Sequence, residues 1–136
     1  MPVASLTDLR SMIAAVLAPA SSGDPDVIPY GADALAPPAL LLRWADPWLE
    51  HDDGRTTGPC LYNGRLEIWA ITGRTEPESG TLDLETMISG VLRRLADDPY
   101  PWRLQVGQPG NIEVAGITYF GCRAIATAPT IPNPEA

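Results

Sequence analysis

The stretch that decides the fold is Pro37-Pro38-Ala39-Leu40-Leu41-Leu42-Arg43-Trp44-Ala45-Asp46-Pro47-Trp48. Paired prolines have no place inside a helix or a central strand, so they mark where regular structure begins. The apolar run after them is too short for a free-standing helix and reads as a buried strand, Ala39 to Trp44. Asp46-Pro47 is expected to stop it, because the residue before proline is pushed out of the α region. Beyond lies a polar stretch, 45–59, carrying Asp46, Trp48, Glu50, His51, Asp52, Asp53 and Arg55. Between two antiparallel strands it would form an extended hairpin arm. Loops of that length in a compact domain are uncommon and usually functional or disordered.

The next strand, about Cys60 to Thr72, alternates. Leu66, Ile68 and Ala70 fall on one side; Glu67, Trp69 and Ile71 fall on the other. Its Asn63-Gly64 pair fits a hairpin turn or a bulge, and a bulge or irregular strand start is the favoured reading. A polar loop, 73–80, with Arg74, Glu76 and Glu78, leads to the clearest element of the chain. Leu84, Met87, Ile88, Val91, Leu92 and Leu95 make an unbroken apolar stripe, predicting a helix from Thr81 to Ala96. Arg93 and Arg94 near its end oppose the negative pole of its dipole. After Pro99 and Pro101, Trp102 to Val106 reads as a strand. Gln108-Pro109-Gly110 is expected to turn the chain into Ile112–Val114 and Ile117–Thr127, broken at Ala115-Gly116.

On the N-terminal side, Leu6, Leu9, Met12, Ile13, Val16 and Leu17 share one helical face. They predict a first helix over Ser5–Leu17, with Ser5 and Asp8 resembling a capping box. Residues 18–38 read as an irregular linker that Ile28 and Tyr30 anchor. The tail, 128–136, has three prolines and is expected to be mobile or draped over a neighbour. Helix, strand, strand, helix, strand, strand gives one domain over 1–136. The expected fold is α+β, with a mostly antiparallel four- to five-stranded sheet packed against two amphipathic helices.

Composition narrows function. A chain of 136 residues buries roughly two-thirds of its unfolded surface as one domain. The formal net charge is −8, from 17 acidic residues against 9 basic ones, every one of the latter arginine. This balance argues against a nucleic-acid groove covering most of the surface, which needs clustered positive charge. Met1-Pro2-Val3-Ala4-Ser5 lacks the basic start and apolar core of a signal peptide, and no window approaches the roughly 20 apolar residues of a membrane helix. A cytosolic chain is expected to keep Cys60 and Cys122 as buried thiols, with a disulfide as the less favoured alternative.

Catalytic patterns are weak. Glu50-His51-Asp52-Asp53 has ligand chemistry but one histidine, and reads as a solvated acidic loop. Either cysteine with His51 would be a nucleophile and base, but both lie in apolar strands, where thiols are inert. Phosphate-binding glycine loops are absent. No catalytic residue, metal or cofactor is expected. Trp69 and Trp102 read as core and core-edge packing. Trp48, outside the strand, reads equally as partner contact or self-packing, since tryptophan and arginine are favoured at interfaces. Arg55 and Arg74 are read either as partners for a neighbouring copy or as solvated side chains.

Pro37-Pro38-Ala39, Trp44-Ala45-Asp46-Pro47-Trp48, Thr81-Leu82-Asp83-Leu84 and Gly116-Ile117-Thr118-Tyr119, in this element order, resemble the tail terminator proteins of long-tailed (siphovirus-type) bacteriophages of actinobacterial hosts. The resemblance spans residues 5–127. It implies a virion protein that forms a ring, usually of six subunits, on the head-proximal end of the tail tube. The ring would stop tube elongation and offer a head-joining surface. The implied partners are further copies of the chain, the tail tube protein and a head-side connector, with DNA only passing through the lumen. Asp46, Trp48, Glu50, Arg55, Arg74, Glu76 and Glu78 are the expected interface residues, with the 45–59 arm and the 73–80 loop together supplying one patch of a heterologous contact. A neck or minor tail protein is the alternative, and a small cytosolic enzyme a distant one.

Overall fold

A computed structural model describes residues 3–19, 25–28, 37–51, 62–74 and 76–133. Two helices, α1 (Leu6–Leu17) and α2 (Pro77–Asp97), lie on one face of a sheet. Its strands are β1 (Asp26–Ile28), β2 (Ala39–His51), β3 (Tyr62–Thr72), β4 (Arg103–Val106), β5 (Gly110–Val114) and β6 (Ile117–Thr130). The order across the sheet is β1-β2-β3-β6-β4, with β5 also on β6. All pairings are antiparallel except β1 with β2. The expected α+β class and two-layer build are what the chain adopts. The short parallel strand β1 lies inside the stretch read as an irregular linker. Val27 packs on the core there, while Tyr30 lies outside the described residues.

Alternation sorts the strand residues. Leu40, Leu42, Leu66, Ile68, Ala70, Cys122, Ala124, Ala126 and Ala128 face the helices and are buried. Against them α1 sets Leu9, Ile13 and Leu17, and α2 sets Leu84, Met87, Ile88, Val91 and Leu95. The alanines along β6 keep that strand's inner face shallow, which lets a helix approach the sheet closely. Gly64 does the same for α1, since a Cβ there would lie 2.7 Å from Leu9 Cδ2. The helix ends are tied to other elements. Ser5 Oγ accepts from the Asp8 backbone N–H, while Arg94 of α2 donates to the Leu17 carbonyl at 3.0 Å. Arg94 thus caps α1 as well as sitting at the negative end of its own helix.

Several sequence expectations are corrected. Pro47 does not end the strand, because β2 runs on to His51. Trp44 pairs with Leu66 and Leu49 with Gly64, so residues 45–48 face Arg65 alone. The bulge therefore lies in β2, opposite the stretch near Asn63-Gly64 where it was expected. Proline has no N–H for the ladder, and a bulge accommodates it. The described part of the expected hairpin arm, 45–51, is strand that continues the antiparallel pairing with β3; the rest, 52–59, lies outside the described residues. Helix α2 starts at Pro77, where the missing N–H costs nothing, and not at Thr81. Gln108-Pro109 does not reverse the chain. β4 and β5 follow one another along the same edge of β6, with a break at 107–109 between them.

The described part of the C-terminal stretch, 128–133, packs on the domain itself; residues 134–136 lie outside the described residues. Ala128 and Thr130 are fully buried, and Ile131 bridges to Ser5. Tyr100 Oη donates to the Pro129 carbonyl and accepts from the Ala4 N–H at 3.1 Å. Asn133 donates to Thr7 Oγ1 at 2.9 Å. Residues 128–133 clasp the start of α1.

Candidate interaction surface

The second face of the sheet carries two neighbouring regions. At one end Leu41, Ile71, Ile112 and Val114 form a small apolar cluster, with Trp69 and Tyr119 against it. Next to it the face turns charged. Arg43 lies directly opposite Glu67, and Trp69 directly opposite Arg123. Glu67 Oε1 accepts from Arg43 Nε at 2.9 Å and from Trp69 Nε1 at 3.2 Å, and Oε2 accepts from Arg123 at 3.0 Å. The two guanidinium carbons stand 5.4 and 5.8 Å from the Trp69 ring centroid. Both are within reach of a cation–π contact.

Glu67 is the one buried carboxylate among the described residues. Burial by itself raises its pKa, but the bonds from Arg43, Trp69 and Arg123 outweigh it and hold the pKa below the ordinary glutamate value. The carboxylate therefore stays ionised at neutral pH, held by its three donors. Its partners remain nearly half exposed, with side-chain exposures of 47 % for Arg43 and 46 % for Arg123. A guanidinium has five N–H donors, so each arginine keeps donors for groups arriving from outside.

The charged region extends toward β4. Arg65 donates to the Pro47 carbonyl at 2.7 Å and lies 3.9 Å from Glu50. Arg103, Gln105 and Thr127 complete a shallow depression beside them.

The expected interface residues are placed apart. Trp48 packs edge-on against Trp44 at 5.1 Å, on the helix side of the sheet beside Leu6 and Arg10, and is 45 % exposed. It is at once self-packed and accessible. Asp46 is exposed in the β2 bulge, and Glu50 is on the outer face. Arg74 and Glu76 are exposed at the far end, between β3 and α2, and Glu78 is exposed in the first turn of α2. About ten residues of β3 separate the two groups, on the order of 30 Å. The 45–51 segment and the group Arg74, Glu76 and Glu78 therefore form two patches and not one. Arg55 lies outside the described residues.

The sequence reading overlooked Arg43, Arg65, Glu67, Arg103 and Arg123. Its available signal was charge at alternate positions within otherwise apolar strands. Trp69 packs at a core edge as expected, against the smaller cluster of this outer face and not against the helix layer. Trp102 does pack on the main core, donating to Asp98 at 2.8 Å.

The weaker chemical readings also have positions. Cys122 is a buried free thiol, its Sγ 3.1 Å from the Gly107 carbonyl, and burial pushes its pKa up. His51 stacks edge-on against Tyr62, whose partner in β6 is Thr130, eight positions along the strand from Cys122. That is roughly 26 Å, too far for a nucleophile and its base. Cys60, Asp52 and Asp53 lie outside the described residues. Among the described residues no group of three or more His, Cys, Asp or Glu side chains is placed to hold a metal ion. A cleft of about 800 Å³ lies between the start of α2 and the β5–β6 hairpin, lined by Pro37, Thr72, Arg74, Pro77, Tyr119 and Phe120. No described helix is long and apolar enough to cross a membrane. No family model matches the chain, and no curated protein matches it.

Proposed function

We propose that this chain is a structural protein of a long-tailed bacteriophage virion, a tail terminator. Its ring, six-membered by resemblance, caps the head-proximal end of the tail tube, halts addition of tube subunits and presents a surface to the head connector. The observation that carries the reading is the broad outer sheet face, whose charged groups are fixed by one another and aimed outward. Arg43 and Arg123 are locked by Glu67 yet remain half exposed. A pre-ordered, solvent-facing arginine pair loses little conformational freedom on docking, which suits an assembly protein. Two separated polar patches, around Glu50 and around Arg74, fit the requirement of a cyclic heterologous contact for two different surfaces on each subunit.

A phage deletion assay tests the role. Loss of a terminator gives overlong tails, and complementation with this chain restores the normal length. Tails of normal length that fail to join heads would reassign the chain to the neck. Native mass spectrometry over a wide concentration range gives the ring number, with a hexamer expected.

A further inference from the structure

The chain as a whole is acidic, with a formal net charge of −8. Its outer sheet face is not. Arg43, Arg65, Arg103 and Arg123 stand on that face against Glu50 and Glu67. The opposite layer has the complementary character. Glu78, Leu82 and Glu85 are spaced by four and three residues, so they share one flank of α2, and all three are exposed. Leu82 is the most exposed large apolar residue described, at 60 %. Glu76 at the N-cap and Asp83 add acid to the same end, where Arg74 beside Leu82 is the basic side chain.

We propose that the arginine-bearing sheet face docks the Glu78–Leu82–Glu85 flank of α2 on a second copy of this chain. The two surfaces lie on opposite layers of the domain, so no copy can satisfy its own pairing. The contact is head-to-tail, the kind that closes into a ring. Size agrees: a helix about 10 Å across covers roughly two strand spacings of about 4.8 Å. Laid over β3 and β6, it reaches Arg43 on one side and Arg103 on the other. Leu82 then meets Trp69, the half-buried ring between Arg43 and Arg123. An aromatic centre with a charged surround is the usual build of such contacts, with the charges setting orientation. This inference rests on the ring reading and names the subunit contact within it.

Charge reversal on full-length protein tests it without disturbing Glu67. Arg103→Glu with Gln105→Glu reverses the sheet face, and Glu78→Arg with Glu85→Arg reverses the helix flank. In sedimentation velocity, wild type is expected to associate with rising concentration. Each double variant alone should associate at least tenfold more weakly, because like charges then face each other. An equimolar mixture of the two variants should recover association, since each then meets an opposite surface on its neighbour. Circular dichroism and denaturation midpoints near those of wild type keep unfolding out of the result.

Variants that associate as wild type does, a mixture that fails to recover, or a strictly monomeric wild type would each overturn this contact. The tail-length assay judges the terminator reading separately. Titration with a single-stranded DNA oligonucleotide covers the other occupant of an arginine face. Tight binding by wild type that Arg103→Glu with Gln105→Glu abolishes, with association unchanged, would assign the face to nucleic acid and sink the docking.

Discussion

A Cβ on Gly121 would stand 2.8 Å from the carbonyl oxygen of Ala70, the diagonal neighbour across the β3–β6 ladder. The obstacle is backbone held in the centre of the sheet, so it cannot move aside as a side-chain end would. Gly121→Ala is therefore expected to lower stability by about 1–3 kcal/mol, the usual range for overpacking. Gly90, inside α2, is the control, since nothing lies within 4 Å of a Cβ built there. Gly90→Ala should raise stability by about 0.5–1 kcal/mol through helix propensity. Urea denaturation of both variants checks the pair, and equal signs would contradict it.

Ala115 has a φ of 52° and Gly116 a φ of 80°, and together they join Val114 to Ile117 in a two-residue hairpin. Positive φ at both central residues is the type I′ pattern, which favours Asn-Gly. Alanine in that region carries strain that Asn or Gly relieves. Ala115→Asn and Ala115→Gly are each expected to raise stability, by on the order of 1 kcal/mol at most. A lower thermal midpoint for both would refute the assignment of strain to this turn.

Glu67 makes stability depend on pH. Its folded pKa is depressed, so its contribution is complete above the unfolded glutamate value of roughly 4.3 and is lost as pH falls through the folded value. Between those two values the unfolded chain binds more protons, and stability rises with pH. Glu67→Gln removes that component. The variant is expected to be less stable than wild type at neutral pH and to lose less stability between pH 5 and the acid limit, as read from urea midpoints at stepped pH. Parallel acid profiles would show that Glu67 is not linked in this way.

Tyr100 Oη joins the start of the chain to its end, serving both the Pro129 carbonyl and the Ala4 N–H. Tyr100→Phe leaves both groups without that partner, and Tyr100 is buried. The expected loss is about 1–3 kcal/mol. Amide exchange of α1 should accelerate more than that of β3, because the clasp over 128–133 holds the first helix. Equal acceleration in both elements would place the effect on the whole fold.

The amphipathic elements were legible from the residues because burial imposes a period. The stripe from Leu84 to Leu95 and the alternation from Leu66 to Ile71 each identify their element and its buried side. Element ends were less legible. Pro47 reads as a stop when only the local chain is considered, yet β2 continues past it because β3 supplies a partner on the far side of a bulge. Gln108-Pro109 misleads likewise, because an edge position tolerates a residue without an N–H.

The candidate surface was less legible still. Arg43, Glu67 and Arg123 are each isolated charges in apolar strands, separated by 24 and 56 residues along the chain. No window of sequence shows them as neighbours. Local periodicity identified both helices and the longer strands with their apolar faces, though not the short β1, since a side chain's direction follows from its place in its own element. The pairing of β2 with β3 was already expected of a hairpin, but the place of β6 beside β3, and therefore the meeting of Arg43 and Arg123 over Glu67 and Trp69, was decided by the tertiary structure alone. Register joins residues through backbone hydrogen bonds between distant segments, and those bonds are indifferent to side-chain spacing within either one.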